Sequence, residues 1–341
     1  MTDRLPVAVD AMGGDDAPKV VVEGARIAAE RYGLPVLLVG DPDRLGDTGG
    51  IPVMAASQVV AMGAEPASSV RTLKDSSIVR AAEAVRDGAA SALLSAGNTG
   101  AAMAASLLRL GRIKGVARPA IAVPFPVRGS TPCILLDCGA NADCRADWLV
   151  QFAVLGTVYS RQRYGIARPR VGILTIGEEA GKGNSLVKEA CELLEAGGWD
   201  ERCGARYIGN LEGRDLLTGV ADVIVTDGFT GNVVLKSMEG GYAIFEQAVR
   251  ETLRSTPEVA ATAPVVDAVL DPLFDGFDPV RTGGALLLGT RGVSLIAHGS
   301  SSAIAIANAI ATADELVAID IVGSLRASIA TDIEAHTDPG S

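Results

Sequence analysis

Apolar runs of strand length alternate with segments of helical period along almost the whole chain of 341 residues. This alternation is typical of a mostly parallel, doubly wound α/β sheet with helices on both faces. The predicted strands are 6–10, 35–39, 90–95, 120–124, 133–137, 170–176, 205–208, 222–226 and 293–297. The predicted helices are 17–31, 76–87, 99–110, 146–164, 185–196, 232–254 and 301–318. In such a sheet, ligands bind where loops follow the carboxyl ends of the strands.

No linker divides the chain cleanly, so residues 1–335 are expected to form a single α/β unit with two lobes around a cleft. The segment 255–281 is rich in Pro, Ala and Asp and carries scattered apolar residues, which predicts a helical excursion that contacts a membrane or a second copy of the chain. The polar stretch after Ile333 is expected to fray, with residues 336–341 as a flexible tail.

Composition argues against several classes of partner. Hydrophobic residues make up 48% of the chain and aromatic residues only 4%, which suits a core of Ala, Val, Leu and Ile between helices and a parallel sheet. A formal net charge of −11 disfavours nucleic acid, because general binding to nucleic acid needs a basic surface. Five cysteines without CxxC spacing predict reduced core thiols. Since neither a leader pattern nor a long apolar run is present, a cytoplasmic location is expected.

The strand-end loops repeat one composition, in which Gly occurs with Asn, Asp, Ser or Lys. The seven stretches are AMGGDDAP, SAGNTGA, LDCGANADC, IGEEAGKGN, IGNLEGRD, TDGFTGN and HGSSSA. Gly lets the backbone approach a ligand, and helix N-termini present free N–H groups with a partial positive charge. Together these features predict anion sites, above all for phosphate.

The sequence lacks several familiar catalytic motifs. GEEAGKGNS has one residue too few before Gly181-Lys182 for a P-loop, and Gly183 stands where Ser or Thr holds magnesium. DAMGGD lacks the GxGxxG fingerprint of a dinucleotide site. With two histidines and no GxSxG elbow, neither a multi-histidine metal site nor a serine hydrolase is indicated. We therefore expect no cofactor and no metal.

The remaining groups are backbone amides, Asn, Lys, Asp and one His, which suit binding of inorganic phosphate and stabilisation of an oxyanion. Phosphate can then be the nucleophile, and a thiolate with a thiol pKa of about 8.5 is a good leaving group. The chemistry that fits is acyl transfer from a thioester to phosphate.

At this point the loops resemble a known family. VAVDAMGGDDAP, SAGNTGA, LDCGANADC, GEEAGKGN, IGNLEGRD, DVIVTDGFTGNVVLK and GGALLLG followed by HGSSSA are similar, in this order, to motifs of the phosphate acyltransferase of bacterial phospholipid synthesis, the PlsX family. The match covers roughly residues 5 to 325. The resemblance implies an enzyme that converts acyl-[acyl carrier protein] and inorganic phosphate to acyl phosphate, which feeds a membrane glycerol-3-phosphate acyltransferase.

The resemblance also implies a fold like that of phosphate acetyltransferases and isocitrate or isopropylmalate dehydrogenases, a homodimer, and peripheral membrane association. Site roles follow only where residues match the motifs. The catalytic candidates are Lys182, Asn232, Lys236 and His298. The substrate-binding candidates are Asp10, Gly13, Gly14, Asp15, Asn98, Thr99, Asn141, Asn184, Asn210, Glu212 and Asp227. Lys182 is the first choice for charge stabilisation, whereas Asp10, Asp227, Lys236 and His298 also have structural interpretations.

Two segments of the sequence are candidates for contact with partners. No Asp or Glu occurs between Gly88 and Leu136, and the basic residues in that stretch include Arg109, Arg112 and Lys114, the predicted contact for an acidic carrier protein. The excursion 255–281 lacks the basic character expected of a membrane anchor that binds anionic lipid, since acidic residues outnumber basic residues around it. The family resemblance implies an aromatic residue before Gly283, where this sequence has Thr282.

Two alternatives remain open on the residues alone. A phosphate acetyl- or butyryltransferase that uses coenzyme A makes the same demands on a phosphate site. A non-catalytic scaffold that binds phosphate ligands or lipid would not require Lys182 and Asn232 to converge.

Overall fold

The computed structural model describes residues 4–196, 198–255, 262–275 and 283–337. In these ranges eleven strands form one sheet in the order β3-β2-β1-β4-β11-β10-β5-β6-β9-β7-β8. The strands are β1 (Val7–Asp10), β2 (Val36–Gly40), β3 (Val53–Ala55), β4 (Ala92–Ser95), β5 (Ala120–Phe125), β6 (Cys133–Leu136), β7 (Arg170–Leu174), β8 (Arg206–Leu211), β9 (Val223–Val225), β10 (Ala285–Leu288) and β11 (Val293–Ile296).

Strand direction divides the sheet into two lobes. The first lobe contains β1–β4 and β11, which pair in parallel, and the second contains β6–β9, which also pair in parallel. Between them β10 and β5 make the antiparallel pairings that reverse the strand direction. The mostly parallel, doubly wound sheet predicted from the sequence is confirmed.

The helices cover both faces of this sheet. They are α1 (Lys19–Tyr32), α2 (Pro42–Leu45), α3 (Pro66–Thr72), α4 (Ser77–Arg86), α5 (Thr99–Ala105), which continues into a π-helical turn, α6 (Ala146–Tyr164), α7 (Ser185–Ala196), α8 (Trp199–Cys203), α9 (Gly228–Ser255), α10 (Ala263–Asp275), α11 (Ala303–Ala318) and α12 (Ile321–Thr337). Successive strand residues belong to different clusters: Val7 and Val9 pack on one face, and Ala8 packs on the other. Burial on both faces explains why the strands read as continuous apolar runs.

All nine predicted strands are present, but β3 and β10 were missed. β3 has three residues and is half-exposed at the sheet edge, so it lacks a strong apolar run. β10 reads ALLL, whose Ala and Leu favour helix by intrinsic propensity. Short helices α2, α3 and α8 were also missed because their apolar periodicity is weak.

One predicted helix start is wrong, and one long helix was missed. Helix α9 begins at Gly228, four residues before the predicted start at Asn232, because Asp227 caps it. Helix α12 (Ile321–Thr337) was not predicted, and the fraying expected after Ile333 stays a prediction. Residues 338–341 lie outside the described residues.

The excursion is partly described. Helix α10 packs beside α9 through an edge-to-face contact of Tyr242 with Phe274, and the two helices share an ion-pair cluster around Arg250. Residues 256–261 and 276–282, with Thr282 among them, lie outside the described residues. Within the described ranges, the helices lack the combination of length and apolar character that a membrane crossing requires.

Candidate active site

A cleft of about 230 Å³ lies over the centre of the sheet, where the two lobes meet. Its floor is apolar and comes from the two reversing strands and their neighbours. The floor residues are Ile121, Val123, Cys138, Ala285, Ile296 and Ala297. Because these strands are buried on both faces, their side chains present an apolar surface to whatever enters the cleft.

The first lobe supplies one polar wall through loops that follow β1, β4 and β11. Asp15, Thr99 and His298 line the cleft from these three loops. The N–H of Asp15 donates to the carbonyl oxygen of Gly299 at 2.8 Å, which ties the first loop to the last. Three loops that are distant in sequence therefore meet at one wall, as parallel strands with a common direction require.

The tautomer of His298 follows from its contacts. The N–H of Ser300 donates to Nδ1 at 3.2 Å, and the hydroxyl of Ser300 lies 2.8 Å from the same nitrogen. Because Nδ1 accepts a backbone hydrogen bond, the proton of the neutral ring lies on Nε2. His298 therefore offers the cleft an N–H donor.

The second lobe supplies the opposite wall from helix α9. Asn232, Leu235, Lys236 and Glu239 line the cleft at spacings of three and four residues, which place them on one helical face. The ammonium of Lys236 contacts the carboxylate of Glu239 at 2.8 Å. The side chain of Lys236 is 52% exposed, more than its apolar sequence neighbours suggested, so its ammonium is accessible to an anion that competes with Glu239.

Glu239 was not predicted from the sequence. Helical periodicity from Asn232 identifies it, since Lys236 and Glu239 follow at i+4 and i+7. Glu239 lies beyond the motif DVIVTDGFTGNVVLK, which ends at Lys236, so the motif did not single it out.

Several predicted ligands of the first lobe have structural roles. Asp10 is buried and accepts hydrogen bonds from Ser95 Oγ at 2.7 Å and Met12 N at 3.3 Å. Burial raises the pKa of Asp10 above its ordinary value. Gly13 lies between Asp10 and the cleft loop at Gly97, because a Cβ there would come within 2.6 Å of the Asp10 carboxylate. Asp10 therefore supports the wall from behind instead of lining the cleft.

The amide of Asn98 is also occupied within the protein. Its Oδ1 caps α5 by accepting from Ala101 N at 2.9 Å, and its Nδ2 donates to the carbonyl of Met62 at 2.6 Å. Thr99, the next residue, faces the cleft in its place. Gly14 borders the same wall, with a φ of 127° that only glycine adopts readily.

In the second lobe, four predicted ligands stabilise loops and helix ends. Asp227 caps α9 through Thr230 N at 2.8 Å, and Asn184 accepts from Val187 N at 2.9 Å at the start of α7. Glu212 forms a capping box with Asp215. Asn141 Nδ2 donates to Pro119 O and to Asp137 Oδ2, each at 2.8 Å.

Lys182 and Asn210 lie in a second pocket of about 580 Å³ beside β7 and β8. β7, the strand that Lys182 follows, pairs in parallel with β9, the strand that helix α9 follows. Asn210 Nδ2 donates to the carbonyl of Glu179 at 2.9 Å. Lys182 therefore lines a different pocket from Lys236 and His298, although the strands that precede Lys182 and Lys236 are neighbours in the sheet.

The predicted basic patch is partly neutralised. Arg109 lies 3.2 Å from the carboxylate of Glu83, and an Nη of Arg112 contacts the carbonyl of Ala117. Lys114 is exposed. No group of three or more His, Cys, Asp or Glu side chains in the described ranges has an arrangement that could hold a metal ion.

The comparisons with known proteins agree with the motif resemblance. The family described as fatty acid synthesis protein matches residues 5–323. A phosphate acyltransferase of Pelotomaculum thermopropionicum is 46% identical over 338 residues, which cover 95% of each chain. A phosphate acyltransferase of Heliobacterium modesticaldum is 44% identical over 339 residues, which cover 97% of this chain and 99% of the relative.

Among solved structures, a phosphotransacetylase from Streptococcus pyogenes superposes with a TM-score of 0.62 at 16% identity and covers 93% of this chain and 95% of its own. This likeness concerns the fold and confirms the predicted phosphate acetyltransferase-like architecture. On the sequence matches, the chain belongs to the fatty acid synthesis protein family, in which these relatives are phosphate acyltransferases.

Proposed function

We propose that this protein transfers a fatty acyl group from acyl-[acyl carrier protein] to inorganic phosphate in the cleft between the lobes. The observation that carries the proposal is the pairing, in one cleft, of an apolar floor with a polar rim that holds a lysine, a histidine and an amide. The floor suits an acyl chain because burying apolar surface is favourable, and the rim suits a phosphate. The family membership supports the same reaction.

The rim can hold phosphate from both walls. Lys236 supplies a charge, Asn232 an amide N–H, Thr99 a hydroxyl and His298 its Nε2–H donor. A phosphate oxygen attacks the thioester carbonyl, and the same donors stabilise the negative charge that develops on the carbonyl oxygen. The C–S bond then breaks, so that the acyl group leaves with phosphate and the carrier protein leaves as a thiolate.

Lys182 stays in the proposal as a charge-stabilising residue of the exposed loop after β7. Gly181 and Gly183 flank it with φ of 83° and 101°, which lets the backbone of this loop approach an anion closely. We predict that Lys182→Ala lowers turnover by a factor on the order of 10² to 10³. Unchanged turnover in a folded variant would remove Lys182 from the mechanism.

The carrier protein is proposed to dock near Arg112 and Lys114. Acyl carrier proteins are acidic, and this is the stretch of the chain without Asp or Glu. Arg109 contributes less than its sequence position suggested, since Glu83 already pairs with it. The two more exposed basic side chains therefore carry the contact.

The α9–α10 pair is proposed to contact a second copy of the chain or a membrane surface. Ile244, Phe245, Val265 and Val269 are each more than 60% exposed there. Arg250 is held by Glu246, Asp267 and Asp271, so this basic side chain adds little attraction for anionic lipid. Sedimentation equilibrium tests the dimer, and flotation with anionic and neutral vesicles tests the membrane contact.

The reaction is tested by incubating purified protein with phosphate and either palmitoyl-carrier protein or acetyl-coenzyme A. Hydroxylamine traps any acyl phosphate as a hydroxamate that can be quantified. We expect product with the palmitoyl-carrier protein. Product with acetyl-coenzyme A alone would favour a phosphotransacetylase, and product with neither donor would contradict both enzyme functions.

A further inference from the structure

Asp137 is a fully buried carboxyl group at the end of β6, and its partners are N–H groups. Oδ1 accepts from Ile121 N at 3.0 Å, Gly139 N at 3.1 Å and Ala140 N at 2.9 Å. Oδ2 accepts from Asn141 N and Asn141 Nδ2, each at 2.8 Å. One side chain thus holds a floor strand and the whole loop 138–141.

This arrangement suits the ionised form of the side chain. Burial raises the pKa of Asp137, and the hydrogen bonds from Ala140, Asn141 and Ile121 oppose that rise. N–H groups can only donate, so a proton on the carboxyl group would face donors and lose at least one hydrogen bond. Replacing one carboxylate oxygen by an amide NH₂ has the same consequence.

The loop that Asp137 organises is packed directly against the first turn of α9. Gly228 N donates to the carbonyl of Asn141 at 2.8 Å. A Cβ at Gly228 would lie 2.8 Å from Asp137 Oδ2, and a Cβ at Gly231 would overlap the carbonyl oxygen of Asp137. Only glycine at these two positions allows so close an approach.

The same contact reaches the cleft. A Cβ at Gly139 would lie 3.6 Å from Cγ of Asn232, so the loop backbone borders the side chain of that residue. Cys138 N donates to Ile121 O at 2.9 Å, which fixes the loop to the cleft floor. The position of Asn232 and Lys236 relative to β5 is therefore set through loop 138–141.

We infer that Asp137 is a positioning residue, whose carboxylate fixes the Asn232–Lys236 face of α9 over the β5 floor at the distance that phosphate requires. The inference rests on the proposed function of this cleft. Asp137 does not touch the substrate. A misplacement of about 1 Å in a binding group far from the chemistry can cost about 10² in rate, so its effect on turnover is large.

The test compares Asp137→Asn with Asp222→Asn. Asp222 is a second buried carboxylate, at the opposite end of the neighbouring strand β9, where it binds Arg170 through N at 2.7 Å and Nη2 at 2.8 Å. Both variants lose a buried acceptor, but only Asp137 contacts the loop beside α9. The wild-type protein and the two variants are assayed for kcat, for the KM for phosphate and for the shift in Tm at saturating phosphate.

We expect Asp137→Asn to lower kcat about 10²-fold, to raise the KM for phosphate and to abolish the phosphate-induced rise in Tm. Asp222→Asn should lower Tm in the absence of ligand while kcat and the phosphate shift stay near wild type. Wild-type kinetics in Asp137→Asn would overturn the inference, and so would losses of activity that track Tm equally in both variants.

Two further measurements test the positioning role of Asp137 independently of the kinetics of Asp137→Asn. Gly231→Ala leaves the carboxylate intact but forces the first turn of α9 away from Asp137, and it should reproduce the kinetic defect. A crystal structure of Asp137→Asn with residues 228–236 unmoved would overturn the inference whatever the activity. Since wild-type turnover alone tests the proposed function, the two failures are distinguishable.

Discussion

At the residue scale, the ion pair of Lys236 with Glu239 is the contact with which phosphate would compete in the proposed site. The ammonium of Lys236 is held at 2.8 Å by a carboxylate that also faces the cleft. Phosphate must compete with Glu239 for Lys236 and is repelled by the same carboxylate. Under the proposed function, we therefore expect Glu239 to lower the affinity for phosphate while it holds Lys236 in place.

Replacing Glu239 by Gln should lower the KM for phosphate several-fold, because it removes the competing charge and retains the size of the side chain. The effect should shrink as ionic strength rises, since the cleft is open to solvent. Initial rates at varied phosphate and salt concentrations measure it. Glu30→Gln, an exposed acid on α1, is the matched control. A raised KM would contradict this expectation and would show that phosphate binding needs Glu239 to hold Lys236 in position.

Most cleft residues were within reach of sequence reasoning, for a physical reason. Asp15, Thr99 and His298 follow strands of common direction, and such loops meet at one edge. Asn98 and Asp10 make internal hydrogen bonds, because Asn and Asp also cap helices and stabilise turns, and the sequence alone does not separate these roles from ligand binding.

At the element scale, α9 carries the second wall, and its start decides which residues face the cleft. The apolar run VVL at 233–235 suggested a start at Asn232, but Asp227 opens the helix earlier through Thr230. The earlier start places Asn232, Lys236 and Glu239 on one face within the helix. Capping contacts of this kind depend on side-chain geometry, which an apolar pattern does not report.

The cap predicts a measurable loss of stability. Asp227→Ala removes the acceptor for Thr230 N and should lower the free energy of unfolding by about 1 kcal/mol. Asp227→Asn keeps an acceptor and should lose less. Urea denaturation of both variants measures the difference. Equal losses in the two variants would show that the helix start does not depend on the cap.

At the scale of the whole molecule, the sheet reverses strand direction at β10 and β5, and the cleft lies over these strands. The sequence predicted a doubly wound sheet but not this reversal, because the seven loops look alike and β10 was not recognised as a strand. The loops that follow the outer strands β7 and β8 line the second pocket, which contains Lys182. Strand order depends on long-range pairing, which local sequence patterns do not encode.

The charge distribution over the molecule gives a prediction for the carrier protein. Reversing Arg112 and Lys114 to Glu should raise the KM for palmitoyl-carrier protein about tenfold at low salt, since it turns attraction of an acidic partner into repulsion. Arg31→Glu with Arg44→Glu changes the net charge equally at exposed helical positions and is the matched control. An equal effect in both double variants would assign the change to net charge and contradict local docking.

The central claim, that acyl phosphate forms in the cleft between the lobes, is tested most directly by ³¹P NMR of the reaction with palmitoyl-carrier protein and phosphate. The wild-type protein should produce an acyl phosphate resonance. Asn232→Ala combined with Lys236→Ala should reduce its rate of appearance at least about 10²-fold while the circular dichroism spectrum stays unchanged. Undiminished product from this double variant would place the reaction elsewhere in the molecule, and no product from the wild type would contradict the function itself.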